Sequence, residues 1–289
     1  KMHSSQGRAS AVAGGEINAS AATVLDERYR IDKPIGAGGI GQVFRATQLQ
    51  LGREVAVKEM RDLFAFFAED QRGELRRRFA EVVRAASALS HPNIIAIFDS
   101  NLERDYPYVV SELAPLGSAR GLIQRAEPLP ANVLFRLFVQ ALHALRAAHA
   151  KGVFHRALKP EQLLFDQWGN LKVSDFGMAR VVERDPAVIR QVYVGMGNVA
   201  YMAPELYTDP TASGADIDIY ALGIIFYELA TKKLPGRRSP MPSALNPAIP
   251  TALDDMFDRM TRDERAQRYQ SIDEVIADLD RAQGIDALI

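Results

Sequence analysis

The chain has 289 residues, 47% of them hydrophobic, enough to bury the core of one large domain or of two lobes. Its net charge of −1 gives no electrostatic reason to expect nucleic acid or an anionic membrane as partner, and the lack of cysteine excludes disulfides and thiolate metal sites. No apolar run reaches the roughly eighteen residues of a spanning helix, so a cytoplasmic location is expected, with a tether elsewhere in a longer, multidomain parent left open.

Residues 1–23 are rich in Ala, Ser and Gly without periodicity and read as a flexible tail or an expression remnant. Tyr29 to Lys58 reads as three alternating strands. Gly36, Gly38 and Gly41 fall in the first turn. A dinucleotide fingerprint would need a helix directly after them, but Gln42 to Thr47 alternates like a strand. A glycine flap between two strands, free of the Cβ atoms that keep a backbone off phosphates, fits better. Lys58 ends the run Val55-Ala56-Val57-Lys58; taken alone it is a surface lysine. Glu74 to Leu89 is a helix with the stripe Leu75, Phe79, Val82, Ala86, Leu89. Ile94 to Phe98 and Pro107 to Glu112 read as strands, and Ala131 to Lys151 as the clearest helix, with Pro130 at its start and Gly152 at its end.

The stretch Phe154 to Gly177 carries His155-Arg156, Lys159-Pro160 and Asp175-Phe176-Gly177. Asp216 to Thr231 is apolar nearly all round and should be a buried helix, which leaves Asp218 needing a hydrogen-bonding partner. Thr251 to Met260 and Ser271 to Leu279 close the chain as helices, the second with a Ser271-x-x-Glu274 capping box. Pro235 to Pro250 holds five prolines and no helical period, and is expected to be irregular.

In order, the glycine flap, Lys58, His155-Arg156, Lys159, Asp175-Phe176-Gly177, Ala203-Pro204-Glu205, and Asp218 with Arg268 resemble the landmarks of a protein kinase over roughly Tyr29 to Ala282. The pieces Ser90-His91-Pro92-Asn93 and Arg268-Tyr269-Gln270-Ser271 resemble bacterial serine/threonine kinases of the Hanks type. The resemblance implies an α+β, two-lobed fold. A small N-lobe (24–112) would hold a five-stranded antiparallel sheet and one helix, and a larger, mainly helical C-lobe would follow (113–289). It implies ATP as ligand, surrounded by Gly36, Gly38, Gly41, Val43, Ala56, Lys58, Glu112, Ala114 and Leu164, with Mg²⁺ on Asp175 and Gln162. It also implies that Asp218 accepts backbone hydrogens of the catalytic loop and that Arg268 pairs with Glu205.

Several positions depart from the family. Its catalytic loop begins His-Arg-Asp, and Ala157 stands here in place of the aspartate that readies the acceptor hydroxyl. Loss of a general base costs about 10²–10⁴ in rate. Lys159 is retained and would still neutralise charge on a moving phosphoryl group. Gln162 replaces the family's asparagine on a stem one methylene longer, so a single, weakly held ion is expected. The helix glutamate that pairs with the strand lysine falls on Val82; Glu81, next door, is expected to pair with Arg77 or Arg84 in solvent, unless a bulge turns it inward. Ala86 is small where the family packs a larger residue onto Phe176. Met178 to Met202 contains no serine or threonine, so Glu183 or Asp185 would stand in for the phosphate that Arg156 normally grips. Asn198 replaces a threonine. These changes favour an ATP-binding pseudokinase, a regulatory or scaffold module for an unknown partner protein. The alternatives are an active kinase inactivated by an engineered Asp-to-Ala change, and a purely structural fold that binds no nucleotide.

Overall fold

A computed structural model describes residues 23–38, 41–182, 199–282 and 284. The chain divides into two compact units, residues 1–68 with 98–113, and residues 69–97 with 114–289.

The first unit is built on one sheet. Its strands are β1 (Val24–Leu25), β2 (Tyr29–Gly38), β3 (Gly41–Gln48), β4 (Arg53–Glu59), β5 (Ile97–Asn101) and β6 (Tyr108–Ser111), in the order β1-β2-β3-β4-β6-β5. The ladders from β1 through β4 and from β4 to β6 are antiparallel. Alternation sends Phe44, Ala46, Val55, Val57, Tyr108 and Val110 to one face, where they form a buried core with Leu25, Tyr29 and Ile31. The sheet has six strands rather than the expected five, because the two-residue β1 adds an edge beside β2. β5 begins at Ile97, not Ile94, because residues 93–95 are engaged elsewhere: Val173 donates to the Asn93 carbonyl (2.8 Å) and accepts from Ile95 (2.9 Å). A short helix, α1 (Arg61–Ala65), follows β4 and buries Leu63 and Phe64; the sequence reading missed it.

In the second unit, α2 (Arg72–Ser87) buries Leu75, Phe79, Val82, Val83 and Ala86. Residues 69–97 group here although the 24–112 span was expected as one lobe. The reason is that Ala86, Leu89 and Ile94 belong to the large core built around Leu142, Leu163 and Val173. That core is formed by α3 (Ala119–Gln124), α4 (Ala131–Ala150), the hairpin β7 (Leu163–Phe165) with β8 (Leu171–Val173), and α5 (Ala215–Thr231). Every residue of α5 from Asp216 to Ala230 except Tyr220 is buried, as its apolar run requires. The Pro-rich segment holds only a four-residue turn of helix, α6 (Pro242–Leu245), before α7 (Ala252–Met260) and α8 (Ile272–Arg281). The cap of α8 is realised: the Ser271 hydroxyl accepts from Glu274 N–H at 3.2 Å, while the Glu274 carboxylate takes the N–H of Gln270 at 2.8 Å.

Arg268 is 1% exposed and donates two bonds of 2.6 Å to Glu205, with further bonds to the carbonyls of Arg262 (2.7 Å) and Asp263 (3.0 Å). Removing one member of such a pair strands the other charge. Arg268→Ala is therefore expected to lower unfolding free energy by about 3–5 kcal/mol, read from the urea midpoint.

Candidate functional site

In the first unit, β4 alternates its side chains. Val55 and Val57 enter the core, while Ala56 and Lys58 stand on the opposite face, both half-buried. Register adds neighbours to that face: Val43 lies opposite Lys58, Ser111 opposite Ala56, and Val109 opposite Lys58 on the other side. Val43, Ala56 and Lys58 are thus brought together on one strand face. Of the glycines, Gly36 has open space where a Cβ would stand. Gly41 has none: a Cβ there would come within 1.9 Å of the Glu59 carbonyl oxygen. Gly41 is therefore demanded by the close approach of β3 to the end of β4, whatever the loop binds. Gly38 closes β2 opposite Gly41. Glu112, which follows β6, is half-buried, and the Ser111 hydroxyl donates to its carbonyl at 3.3 Å; Ala114, the first residue of the next stretch of the second unit, is half-buried as well.

In the second unit, the loop from His155 to Gln162 is organised by Asp218. One carboxylate oxygen accepts from the Arg156 N–H (2.8 Å), and the other from the His155 N–H (2.8 Å) and from His149 Nε2 (2.7 Å). Burial alone would raise this carboxyl. The hydrogen bond and charge of His149, the charge of His155 and the Arg156 N–H outweigh it and hold Asp218 below the ordinary range. Arg156 adopts a left-handed backbone (φ 71°), and so does Asp175 (φ 62°). His155 couples the two turns. Its Nε2 lies 2.7 Å from the Ser174 carbonyl, so that nitrogen carries the proton, and its ring packs 5.1 Å from Phe176.

Ala157 is buried in this loop with only a methyl group to offer. Lys159 is half-buried, as is Leu164 on β7. Gln162 is 3% exposed; its amide oxygen accepts from the Lys159 N–H (3.1 Å) and its carbonyl accepts from Ser174 N–H (2.9 Å). With one lone pair of its amide oxygen taken by Lys159, Gln162 keeps the second to offer a cation. Asp175 is half-buried. No cluster of three or more His, Cys, Asp or Glu side chains suited to a metal occurs among the described residues. One carboxylate and one amide oxygen fit Mg²⁺, a hard ion that usually draws its other ligands from phosphates and water.

Val82 lies against the loop after Phe176: a Cβ on Gly177 would sit 3.5 Å from a Val82 methyl. Glu81 pairs with Arg77 on the outer face at 2.5 Å, as expected, and both are exposed. Arg156 donates to the Thr211 carbonyl at 2.7 Å. Glu183, Asp185 and Asn198 lie outside the described residues.

One cluster was missed in the sequence. Arg120 on α3 donates to Glu161 (2.7 Å), to Glu228 (2.9 Å) and to the Tyr201 hydroxyl (2.5 Å), and that hydroxyl donates to the other Glu228 oxygen (2.6 Å). Burial and the Glu228 hydrogen bond push the Tyr201 hydroxyl up. The visible signal was Glu228 itself, a second carboxylate in the apolar run that contains Asp218. The cluster ties α3, the loop after Lys159, the 199–201 turn and α5 together.

The protein kinase domain pattern matches residues 29–279. The chain belongs to the protein kinase family. A probable serine/threonine-protein kinase of Corynebacterium efficiens is 32% identical over 89% of the chain, and the serine/threonine-protein kinase PrkC of Bacillus subtilis is 31% identical over 91%. The chain spans 41% and 42% of the length of these two relatives. The serine/threonine-protein kinase PknL of Mycobacterium bovis is 31% identical over 89% of the chain, which covers 66% of it. As a kinase domain, the chain has the expected Asp218 bonds to its catalytic-loop backbone and the expected Arg268–Glu205 pair.

Two predictions follow from these clusters. His155 is wholly buried, and burial holds its imidazole below the ordinary value of 6.5 against the pull of Asp218. The unfolded chain therefore binds that proton first. Stability is expected to decline as pH falls below about 6.5, seen as a falling urea midpoint, with a shallower decline in His155→Gln. Arg120→Ala leaves the buried Glu228 carboxylate without its cation and is expected to cost about 3 kcal/mol. Adding Glu228→Gln to that variant should restore part of the loss, which a double-mutant cycle measures.

Proposed function

We propose that this kinase domain is a pseudokinase that holds ATP with a single Mg²⁺ ion and does not transfer its γ-phosphoryl group efficiently. The observation that carries the reading is Ala157 within a loop whose backbone is otherwise fully held. Asp218 fixes the two residues before it and Gln162 caps Lys159 after it. The backbone is in order and the proton-accepting group is missing. Phosphoryl transfer depends on holding the phosphates, neutralising their charge and aiming the hydroxyl. Lys58 and the glycine flap would do the holding, with Val43, Ala56, Glu112, Ala114 and Leu164 around the base. Asp175, with the remaining Gln162 lone pair, would hold the metal, and the metal would screen the phosphate charge. Lys159 would neutralise the transferring group. Nothing at position 157 orients an acceptor or takes its proton.

The side chains of α2 support the same reading. Val82, buried and with a methyl 3.5 Å from where a Gly177 Cβ would stand, occupies the position at which a carboxylate would be expected, and Glu81 is engaged with Arg77 on the exposed face. The relatives are longer than this chain, and a regulatory or scaffold role within a larger protein, toward a partner protein, accords with that difference.

Two measurements test this. ATP with Mg²⁺ should stabilise the purified chain by about 2.7 kcal/mol at a hundredfold excess over Kd, and Asp175→Ala should remove the Mg²⁺-dependent part. No phosphoryl transfer near the ordinary ~1–100 s⁻¹ of kinases should be detectable on a generic protein substrate. Transfer at such rates with Ala157 in place would overturn the proposal. Vigorous transfer after Ala157→Asp would favour instead an active kinase inactivated at one position.

A further inference from the structure

Four nitrogen-bearing side chains of the second unit, His91, His143, Arg146 and Lys172, gather where three elements meet, and none of them is assigned to the nucleotide. Bonds to β8 bring those elements together. The Asn93 side-chain amide donates to the Leu171 carbonyl (2.9 Å), and the Gln140 amide oxygen on α4 accepts from the Leu171 N–H (2.9 Å). The Val173 N–H donates to the Asn93 carbonyl at 2.8 Å. Leu171 and Val173 enter the core, so Lys172 between them stands on the opposite face of β8, half-buried. Along α4, steps of three residues from Gln140 place His143 and then Arg146 as successive neighbours on one side of the helix. His91 stands two residues before Asn93 and is bonded to it. Both histidines are half-buried and Arg146 is exposed, so the cluster faces solvent.

Hydrogen bonds fix the chemistry of both imidazoles. His91 Nδ1 accepts from the Asn93 N–H at 3.0 Å. His143 Nδ1 lies 3.0 Å from a terminal nitrogen of Arg146, and a guanidinium only donates, so this Nδ1 accepts as well. The proton of each neutral ring is therefore on Nε2, which presents a donor. A metal ion would need a lone pair at that nitrogen, and this tautomer has none there. Burial first, then His143, Arg146 and Lys172, hold His91 below the ordinary imidazole value; burial and Arg146 do the same to His143. Asp273 of α8 is the carboxylate in ion-pair range of Arg146, at 3.8 Å, beyond hydrogen-bond reach and largely in solvent. The four side chains thus bring donors and positive charge, with both imidazole acceptors already used. The complement of such a set is a group made of acceptors that carries a double negative charge. Phosphate is that group: its oxygens spread tetrahedrally toward three elements, whereas a carboxylate has half the charge and two oxygens in one plane.

We infer that His91, His143, Arg146 and Lys172 form a phosphate-binding site, which takes the phosphate dianion either free or as the monoester of a phosphorylated side chain. The two Nε2–H groups and the Arg146 guanidinium donate to its oxygens, and the Lys172 ammonium balances the remaining charge. The site shares no residue with the nucleotide set, so it stands whether or not the chain binds ATP.

The test titrates the full chain with inorganic phosphate and with a short phosphoserine peptide at neutral pH and constant ionic strength, followed by calorimetry and by nitrogen NMR of the histidine side chains. At least one probe should bind saturably and shift the Nε2 resonances of His91 and His143. His143→Ala with Arg146→Glu should weaken that binding by about tenfold or more and leave the circular dichroism spectrum unchanged. Lys172→Ala removes a charge from β8 and gives an independent reading if the first variant folds poorly. Lys58→Ala should leave the binding unchanged, which separates this site from the nucleotide residues. Tighter binding of the peptide than of inorganic phosphate assigns the source to a phosphorylated side chain, and equal binding assigns it to the free ion; both uphold the site. The proposal is overturned if neither probe binds saturably, if both cluster variants bind as the parent does, if Lys58→Ala abolishes the binding, or if the unphosphorylated peptide binds as well as the phosphorylated one.

Discussion

The catalytic-loop conformation depends on one buried carboxylate. Asp218 is 1% exposed, and both of its oxygens are committed: one to the Arg156 N–H, the other to the His155 N–H and His149. A left-handed backbone at a non-glycine residue costs on the order of 1–2 kcal/mol, and Arg156 has one. Charge-assisted hydrogen bonds are roughly twice as strong as neutral ones and are enough to offset that cost. The same cluster reaches the second strained turn. His155, held by its N–H at one end, donates from its ring to the Ser174 carbonyl beside Asp175. Two unfavourable backbone conformations, one in each loop, are thus maintained by one aspartate on the most deeply buried helix of the unit.

Much of this was legible because it rests on strong local signals. The apolar run of α5 demanded burial, and burial demanded partners for Asp218. The stripe on α2 placed Leu75, Phe79, Val82 and Ala86 inward, which left Glu81 outside with Arg77. Alternation along β4 separated Lys58 from Val57. Other features arise from distant parts of the chain meeting, and no local period encodes them. β5 starts late because Asn93 and Ile95 bond to Val173, some eighty residues onward. Arg120 meets Glu228 across a sequence separation of 108 residues, in a helix of only six residues with no periodic signal of its own. The glycine flap was read from spacing alone, yet Gly41 is also required by the Glu59 carbonyl. A single residue can answer to both packing and ligand approach.

The two clusters on α5 divide their labour along the helix. Asp218 near its start fixes the loop on the side of His155, and Glu228 near its end fixes, through Arg120, the side of Glu161. The loop is held at both ends by two carboxylates of the same helix, and Ala157 lies between the residues they hold. The backbone is thus fixed on both sides of a residue that offers only a methyl group.

Arg156 offers a final consequence. Its guanidinium reaches the main-chain oxygen of Thr211. An anchor of that kind comes with the polypeptide itself: no modifying enzyme installs it and none strips it off. The bearing of this arginine is therefore set in part by an acceptor that belongs to the backbone of residue 211.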